Sequence, residues 1–226
     1  MNRTAHATLA VPLPEPVAVA SAAHRWRAAA IYLAAAWSGF FVMGVELLGG
    51  RLLAPYFGSS LFVWGGIIAV FMACLSAGYL LGGQLSLRAP SLPMLGGLMM
   101  GAALLALPVV TVSASLFEWL SYAVPDPRYG SLVGSLLLFG CPTVVSGMVS
   151  PYAVRLLIGD VAHAGRSAGV LYFVSTMGSA AGTILTSFYF VMYFELDTIV
   201  LAMIATSLAI GVLLLCQRNG SGRGRP

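Results

Sequence analysis

Residues 61–84 read LFVWGGIIAVFMACLSAGYLLGGQ and contain no charged side chain. A helix needs about 20 mostly apolar residues to cross the hydrocarbon core of a bilayer, and this stretch is long enough to do so. It therefore predicts a transmembrane helix. Five further stretches have the same length and character: 29–49, 92–113, 131–157, 168–193 and 197–216.

The composition of the whole chain agrees with this prediction. Of its 226 residues, 59% are hydrophobic and 8% are charged, whereas an ordinary soluble domain carries about 25% charged residues. Such a chain could not give a water-soluble globule a charged surface, and it is too hydrophobic to be disordered. We therefore expect an integral membrane protein in contact with the lipid bilayer.

The predicted fold is all-α, a polytopic transmembrane helix bundle of about six spans. Residues 115–122 form a short amphipathic piece between the third and fourth spans, and the aromatic side chains in it favour the headgroup level of a bilayer. We expect this piece to be an interfacial helix. The predicted domains are a flexible cytoplasmic tail at 1–28, a transmembrane domain at 29–217 and a cytoplasmic tail at 218–226.

The arginines predict the orientation, because basic loops stay in the cytoplasm. With the N-terminus inside, the outer side carries only Arg51 and Arg128. The remaining arginines are on the inner side: Arg3, Arg25, Arg27, Arg88, Arg155, Arg166, Arg218, Arg223 and Arg225. Both termini are therefore expected in the cytoplasm, and the protein in the inner (plasma) membrane. Arginines scattered between apolar runs fit a membrane better than a nucleic-acid partner.

Glu46 is the one acid embedded within a predicted span, about one turn from the outer end of the first helix. An ionisable residue inside a membrane is by default a functional hypothesis. Glu46 could bind a cationic solute or relay a proton. It could instead pair with Arg51, which is one and a half turns further along, and so fix the packing. The residues alone leave these alternatives open.

The fourth stretch contains Pro142 and Pro151 and ends at Arg155. Proline removes a backbone donor and clashes with the preceding turn, so this helix should kink or break. A broken helix could line a solute site, whereas a bend would only fit the helix around its neighbours. Arg155 either extends to the headgroups or contacts an anion or a lipid phosphate.

Aromatic and small residues each allow two interpretations. Tyr56, Trp64 and Tyr152 could help to form a cage for a cation, or they could belong to the interfacial belts and the packing. Small residues repeat at four-residue steps in three spans, which predicts close helix packing. Beside one of these rows, the hydroxyls of the fifth span could instead follow a polar pathway: Ser175, Ser179, Thr183 and Ser187.

No catalytic or cofactor motif is present in the sequence. It has no phosphate-binding loop, no GxGxxG, no HExxH and no Ser/His/Asp set of motifs. Cys74, Cys141 and Cys216 form no CxxC and have no neighbouring histidine, so neither zinc nor redox chemistry is supported. We therefore expect no catalytic residue, no metal ligand and no cofactor.

The two halves of the chain share short motifs. Ser38-Gly39 returns as Ser146-Gly147, and the spacing of Gly78 and Gly82 returns in Gly178 and Gly182. A three-plus-three repeat would have inverted halves, a plan shared by many transporters. The pieces with Pro-Tyr and Arg-Leu-Leu occur in a different order in the two halves, so the sequence alone favours a chance similarity.

Several of these motifs, in this order, resemble the membrane domain of bacterial spermidine synthase-like proteins, which are also described as fused major-facilitator/spermidine synthase proteins. The resemblance covers roughly residues 30 to 215. In the first half it rests on SGF at 38–40 with Glu46, RLLAPYFGSS at 51–60, VWG at 63–65 and GYLLGG at 78–83. In the second half it rests on GMVSPYAVRL at 147–156 and on the residues from Gly165 to Thr183.

The resemblance implies a role beside a soluble enzyme. In that family an aminopropyltransferase-like domain of the Rossmann-type methyltransferase fold commonly follows the membrane domain on the cytoplasmic side. The sequence from 218 to Pro226 contains no such domain, so the family's putrescine and decarboxylated S-adenosylmethionine sites have no counterpart in it. This suggests a non-catalytic module that anchors or serves a separate soluble synthase- or methyltransferase-like partner. The alternative is a stand-alone transporter of a small cationic solute such as a polyamine.

Overall fold

The computed structural model describes residues 22–88, 90–158 and 164–217, and these segments are almost entirely helical. Six of the helical segments are long and apolar enough to cross a membrane. The predicted all-α bundle of about six spans is therefore confirmed. A π-helical turn, Thr186–Phe190, connects α7 to α8. The α-helices are α1 Ala22–Phe57, α2 Leu61–Leu85, α3 Leu92–Leu105, α4 Pro108–Thr111, α5 Ser113–Ala123, α6 Pro127–Leu157, α7 Ala164–Leu185, α8 Val191–Tyr193 and α9 Leu196–Cys216.

Helix α1 is longer at both ends than the sequence predicts. It begins at Ala22, within the predicted tail, and continues past residue 49 to Phe57. Arg51 does not interrupt it, because this side chain is exposed and its charge stays outside the core. Gly58, with φ of 79°, ends the helix in a conformation that glycine adopts without strain. The remaining residues of the predicted tails, 1–21 and 218–226, lie outside the described residues.

The third predicted span, 92–113, is divided in the structure. Helix α3 ends at Leu105 and Pro108 begins the short α4, as expected from a residue that is favoured in the first turn of a helix. The predicted amphipathic piece is the helix α5. Its Phe117 and Leu120 are buried while Trp119 is 62% exposed, so one face packs on the bundle and the other faces outward.

Helix α6 is not broken. It runs without interruption from Pro127 to Leu157 with Pro142 and Pro151 inside it. The broken helix considered from the sequence is therefore not found. Neighbouring helices and local adjustments can satisfy the backbone groups that a proline frees in a transmembrane helix. The irregular helical turn lies instead after α7, at Thr186–Phe190, although this segment contains no proline or glycine.

Helices α1 and α7 lie in direct backbone contact along glycines. Gly178 packs against the backbone of Ala36. A Cβ atom placed on Gly182 would lie 2.9 Å from the Cα atom of Phe40, closer than real side chains allow. Residue numbers increase together along both helices, so α1 and α7 are parallel.

Helices α2 and α6 make the same kind of contact. Gly78 packs against the backbone of Val144, and a Cβ atom placed on Gly82 would lie 2.6 Å from the Cα atom of Met148. Residue numbers again increase together, so α2 and α6 are parallel. Because α1 and α2 follow each other through a short turn and run in opposite directions, α6 is antiparallel to α1.

The two contacts are one arrangement used twice. The positions that correspond are Ala36 with Val144, Phe40 with Met148, Gly78 with Gly178 and Gly82 with Gly182. The unit α1–α2 therefore recurs as α6–α7 in the opposite direction, related by a pseudo-twofold axis that we call the repeat axis. The third members, α3 and α9, pack on each other, with Gly96 against the carbonyl oxygen of Gly211.

The similarity between the two halves of the sequence is therefore not a chance one, and the interpretation that the sequence favoured is wrong. The corresponding Ser38-Gly39 and Ser146-Gly147 motifs meet at the repeat axis, where Ser38 Oγ donates a hydrogen bond of 3.1 Å to the carbonyl oxygen of Ser146. The Pro-Tyr and Arg-Leu-Leu pieces obscured the repeat because they lie outside these helix contacts.

The glycine contacts lead to a stability prediction. Gly178→Ala places a methyl group against the backbone of Ala36, so we expect it to lower the free energy of unfolding by about 1–3 kcal/mol. Gly97→Ala is the matched control, because a Cβ atom at Gly97 would meet no neighbouring helix or side chain within 4 Å. The measurement is thermal unfolding of the purified protein in detergent. Equal melting temperatures for the two variants would contradict the packing described here.

Candidate functional site

A small cavity of about 70 Å³ lies between α1, α2, α6 and α7. Six of its lining side chains carry a hydroxyl group and none carries a charge. We call it the polar cavity. The residues that line it are Ser38, Gly39, Val42, Met43, Leu75, Tyr79, Ser146, Gly147, Ser150, Ser175 and Ser179.

The lining is built from pairs of residues that the repeat relates to each other. One member of each pair comes from the first half of the chain and the other from the second half. The polar cavity therefore surrounds the repeat axis. The pairs are Ser38 with Ser146, Gly39 with Gly147, Val42 with Ser150, Leu75 with Ser175 and Tyr79 with Ser179.

Two glycines let backbone oxygens reach this region. Gly39 allows the carbonyl group of Ser175 to approach α1, and Gly147 allows that of Leu75 to approach α6, where a Cβ atom would lie 2.9 Å from the oxygen. A side chain at either position would separate the helices. Because glycine has no side chain, polar backbone atoms of α2 and α7 lie at the rim of the cavity.

Some hydroxyls of the polar cavity are already used and others are not. Ser38 donates to Ser146, and Ser179 Oγ donates to the carbonyl oxygen of Ser175 at 3.2 Å. Among the described residues, the hydroxyls of Ser150 and Ser175 have no hydrogen-bond partner. These groups can therefore still donate to or accept from a bound molecule.

Glu46 lies on the side of α1 that faces this cavity. Residues three, four and seven apart share one face of a helix, so Glu46 lies on the same face as Gly39 and Met43, one turn beyond Met43. The next residue on that face is Gly50, against which the indole ring of Trp64 packs. Glu46 is partly buried, between the polar cavity and Trp64.

Arg51 does not neutralise Glu46. Because α1 continues as a regular helix through Phe57, five residues correspond to a rotation of about 140° around its axis. The exposed Arg51 thus lies on nearly the opposite face. In the part of the chain that the structure describes, no side chain forms an ion pair or hydrogen bond with Glu46. The packing role with Arg51 that the sequence left open is not realised.

The three aromatic candidates do not form a cage. Tyr56 packs on Phe117 of α5, with ring centroids 5.9 Å apart. Tyr152 is 1% exposed, and its hydroxyl oxygen accepts a hydrogen bond of 3.0 Å from the backbone N–H of Ser91. It thereby satisfies a donor at the start of α3. Trp64 packs against Gly50 of α1.

Pro151 directly follows the cavity residue Ser150 in α6, whereas Arg155 lies further along, toward the end of the helix. Pro151 is partly buried within α6, and Arg155 is exposed in the last turn of that helix. The seven residues singled out from the sequence therefore do not assemble into one site. Of these seven, Pro151 and Glu46 are the ones beside the polar cavity, and Glu46 alone of these two carries a charge. The serines of the cavity were missed as a site, although the repeated Ser-Gly motif and the Ser175–Ser179 row were visible.

The comparisons with known proteins give no relative. No protein-family model, curated protein or solved structure matches the chain. Within the described ranges, no three His, Cys, Asp or Glu side chains lie together as metal ligands would. The function is therefore argued from the repeat, the polar cavity and Glu46.

Because the lining of the polar cavity is polar, we expect water to enter it and to reach the side of α7 that faces it. In a background with Cys74, Cys141 and Cys216 changed to Ala, we expect Ser175→Cys to react with a small cationic methanethiosulfonate. The reason is that a thiol must form thiolate to react, which requires a polar surrounding. Met177→Cys is the control, because Met177 is 49% exposed on α7 and does not line the cavity.

Labelling kinetics of the protein in liposomes measure this difference. We expect Ser175→Cys to react roughly tenfold faster than Met177→Cys, since the thiolate fraction sets the rate. Equal rates would mean that the cavity is closed to water, and would contradict its assignment as a polar site.

Proposed function

We propose that the protein binds a small cationic solute, of the polyamine class, in the polar cavity and carries it across the membrane. The observation that supports this most is the pairing of the cavity lining across the repeat axis. Inverted repeats are common in secondary transporters, whose solute sites lie at the interface between the repeats near the middle of the bilayer. This geometry favours a stand-alone transporter over a module that only anchors a partner.

The groups around the cavity suit an ammonium group. An ammonium ion donates three hydrogen bonds, and the serine hydroxyls that line the cavity can accept them. A volume of about 70 Å³ is roughly that of two water molecules in the liquid. The cavity in this state therefore holds an amine end of a polyamine, and the rest of the molecule extends beyond it.

Glu46 supplies the negative charge that such a solute requires. Burying an unpaired cation at membrane depth is costly, and a nearby carboxylate offsets that cost. Asp197 is in the first turn of α9, at the end of a span. Of the acids that the structure describes, Glu46 is the one in the interior of a spanning helix.

Binding of spermidine to the purified protein tests this role. A hydrogen bond to a charged group contributes about 1.5–3 kcal/mol, so we expect Glu46→Gln to weaken spermidine binding roughly 10- to 100-fold. Glu118→Gln is the matched control, because it removes one acid from α5, outside the spans. Equilibrium binding of radiolabelled spermidine in detergent measures the difference, with melting temperature as the check on folding. Unchanged binding by Glu46→Gln would contradict the proposal.

The second candidate is the role beside a soluble synthase- or methyltransferase-like partner. The resemblance supports it, and so do exposed arginines at the end of the bundle that we expect to be cytoplasmic: Arg88, Arg155 and Arg166. Exposed basic groups at one end could attract an acidic surface of a soluble protein. This role and solute binding do not exclude each other, because a partner could use the solute that the membrane part delivers.

Purification from native membranes in a mild detergent tests the partner. Mass spectrometry of the purified material should then detect a soluble protein in stoichiometric amount, and Arg155→Ala with Arg166→Ala should reduce its yield because the attraction is lost. Arg128→Ala is the control at the opposite end. A preparation that contains this chain alone would contradict the partner role, and transport of spermidine into liposomes by that preparation would leave the transport proposal standing.

A further inference from the structure

A second and larger cavity of about 250 Å³ lies where α9 stands away from α1. It shares no residue with the polar cavity. Its lining is mainly aromatic and aliphatic, and we call it the aromatic cavity. The residues that line it are Trp37, Phe40, Phe190, Phe194, Thr198, Ile199, Ala202, Met203 and Thr206.

The repeat provides a comparison for this cavity. The counterparts of Trp37 and Phe40 in the second half are Val145 and Met148, and both pack against a core cluster that includes residues of α3. A Cβ atom placed on Gly101 of α3 would lie 3.7 Å from the Cγ1 atom of Val145. Protein atoms of α3 thus lie beside Val145, whereas the aromatic cavity lies beside Trp37 and Phe40.

Two features keep this side open. The rings of Trp37 and Phe40 are stacked, 5.0 Å apart, and form a wall on α1. The π-helical turn after α7 brings Phe190 to within 6.3 Å of Phe40, measured between ring centroids. Such turns occur often at functional sites. The indole N–H of Trp37 is already bonded to Ser207 Oγ at 2.7 Å, so it is not free for a polar ligand.

The cavity is continuous with the surface that faces the bilayer. Phe194 is 56% exposed, and Thr198 and Ala202 are exposed on the same side of α9. An apolar cavity of about 150 Å³ can take up benzene and stays free of water. The aromatic cavity is larger, so it has room for a segment of a hydrocarbon chain, and the lipid that supplies such chains surrounds the protein.

Charged side chains lie at the mouth of the cavity. Glu195 and Asp197 are exposed between the cavity residues Phe194 and Thr198. On α1, Arg51 lies two turns beyond Gly44 on the same face, and Gly44 faces Met203 of the cavity. Carboxylates near one exposed arginine complement a headgroup that carries both a phosphate and an ammonium. They would repel a headgroup that is only anionic.

We propose that the aromatic cavity binds one acyl chain of a zwitterionic phospholipid with an ammonium headgroup, phosphatidylethanolamine. The chain packs against Trp37 and Phe40, the ammonium lies at Glu195 and Asp197, and the phosphate lies toward Arg51. Because lipid surrounds a membrane-spanning protein at high concentration, modest contact energy suffices for occupancy. This site is independent of solute binding in the polar cavity.

Quenching of Trp37 fluorescence by brominated acyl chains tests the site. The variant with Trp26→Phe, Trp64→Phe and Trp119→Phe retains Trp37 alone, and it is placed in liposomes with a few per cent of brominated lipid. We expect brominated phosphatidylethanolamine to quench Trp37 strongly at this low fraction and brominated phosphatidylglycerol to quench it much less. Equal quenching by the two lipids would overturn the headgroup assignment.

Two variants in the same background test the location. Ala202→Phe fills the cavity and should abolish the additional quenching, whereas Leu201→Phe, on a neighbouring exposed position outside the cavity, should retain it. Glu195→Gln and Asp197→Asn should each reduce the preference for phosphatidylethanolamine, roughly fivefold per charge removed. Melting temperatures check that the variants fold. Full quenching in a folded Ala202→Phe variant would overturn the site.

Discussion

Backbone-to-backbone contact between helices is the constraint on which the structure depends. In a bilayer, lipid tails are as apolar as leucine, so helices gain little by hiding apolar side chains from lipid and associate through close packing instead. Gly178 and Gly182 provide that packing for α1 and α7, and Gly78 and Gly82 provide it for α2 and α6. These contacts fix which helices are neighbours and in which register they lie.

The register in turn places the polar groups. With α7 drawn onto α1, the carbonyl group of Ser175 reaches Gly39, and with α2 drawn onto α6 the carbonyl group of Leu75 reaches Gly147. The hydroxyl-lined cavity forms between these two contacts. Glu46 follows on the same face of α1, so the one acid in the interior of a spanning helix, among the described residues, lies next to it.

The sequence predicted the parts of the fold that depend on local composition and not those that depend on pairing between distant residues. Length and hydropathy sufficed for the six spans. They could not show that α1 continues through Arg51, because this depends on whether that side chain is exposed. They could not show that α6 stays continuous at Pro142 and Pro151, because the neighbouring helices decide whether the freed backbone groups are satisfied. The cavity was missed for the same reason. Ser38 and Ser146 become a site only after two helix pairs have brought them together, and a motif of two small residues is too short to predict that.

The hydrogen bond from Ser38 Oγ to the carbonyl oxygen of Ser146 has a consequence for how the bundle can move. It crosses the repeat axis, yet it is one-sided, since one serine is the donor and the other supplies the acceptor. Exchanging the two halves turns it into a bond from Ser146 Oγ to the carbonyl oxygen of Ser38, with the same atoms and chemistry. An exchange of one bond for the other would leave the number of hydrogen bonds at the repeat axis unchanged, so this contact by itself does not oppose movement of one half of the bundle against the other.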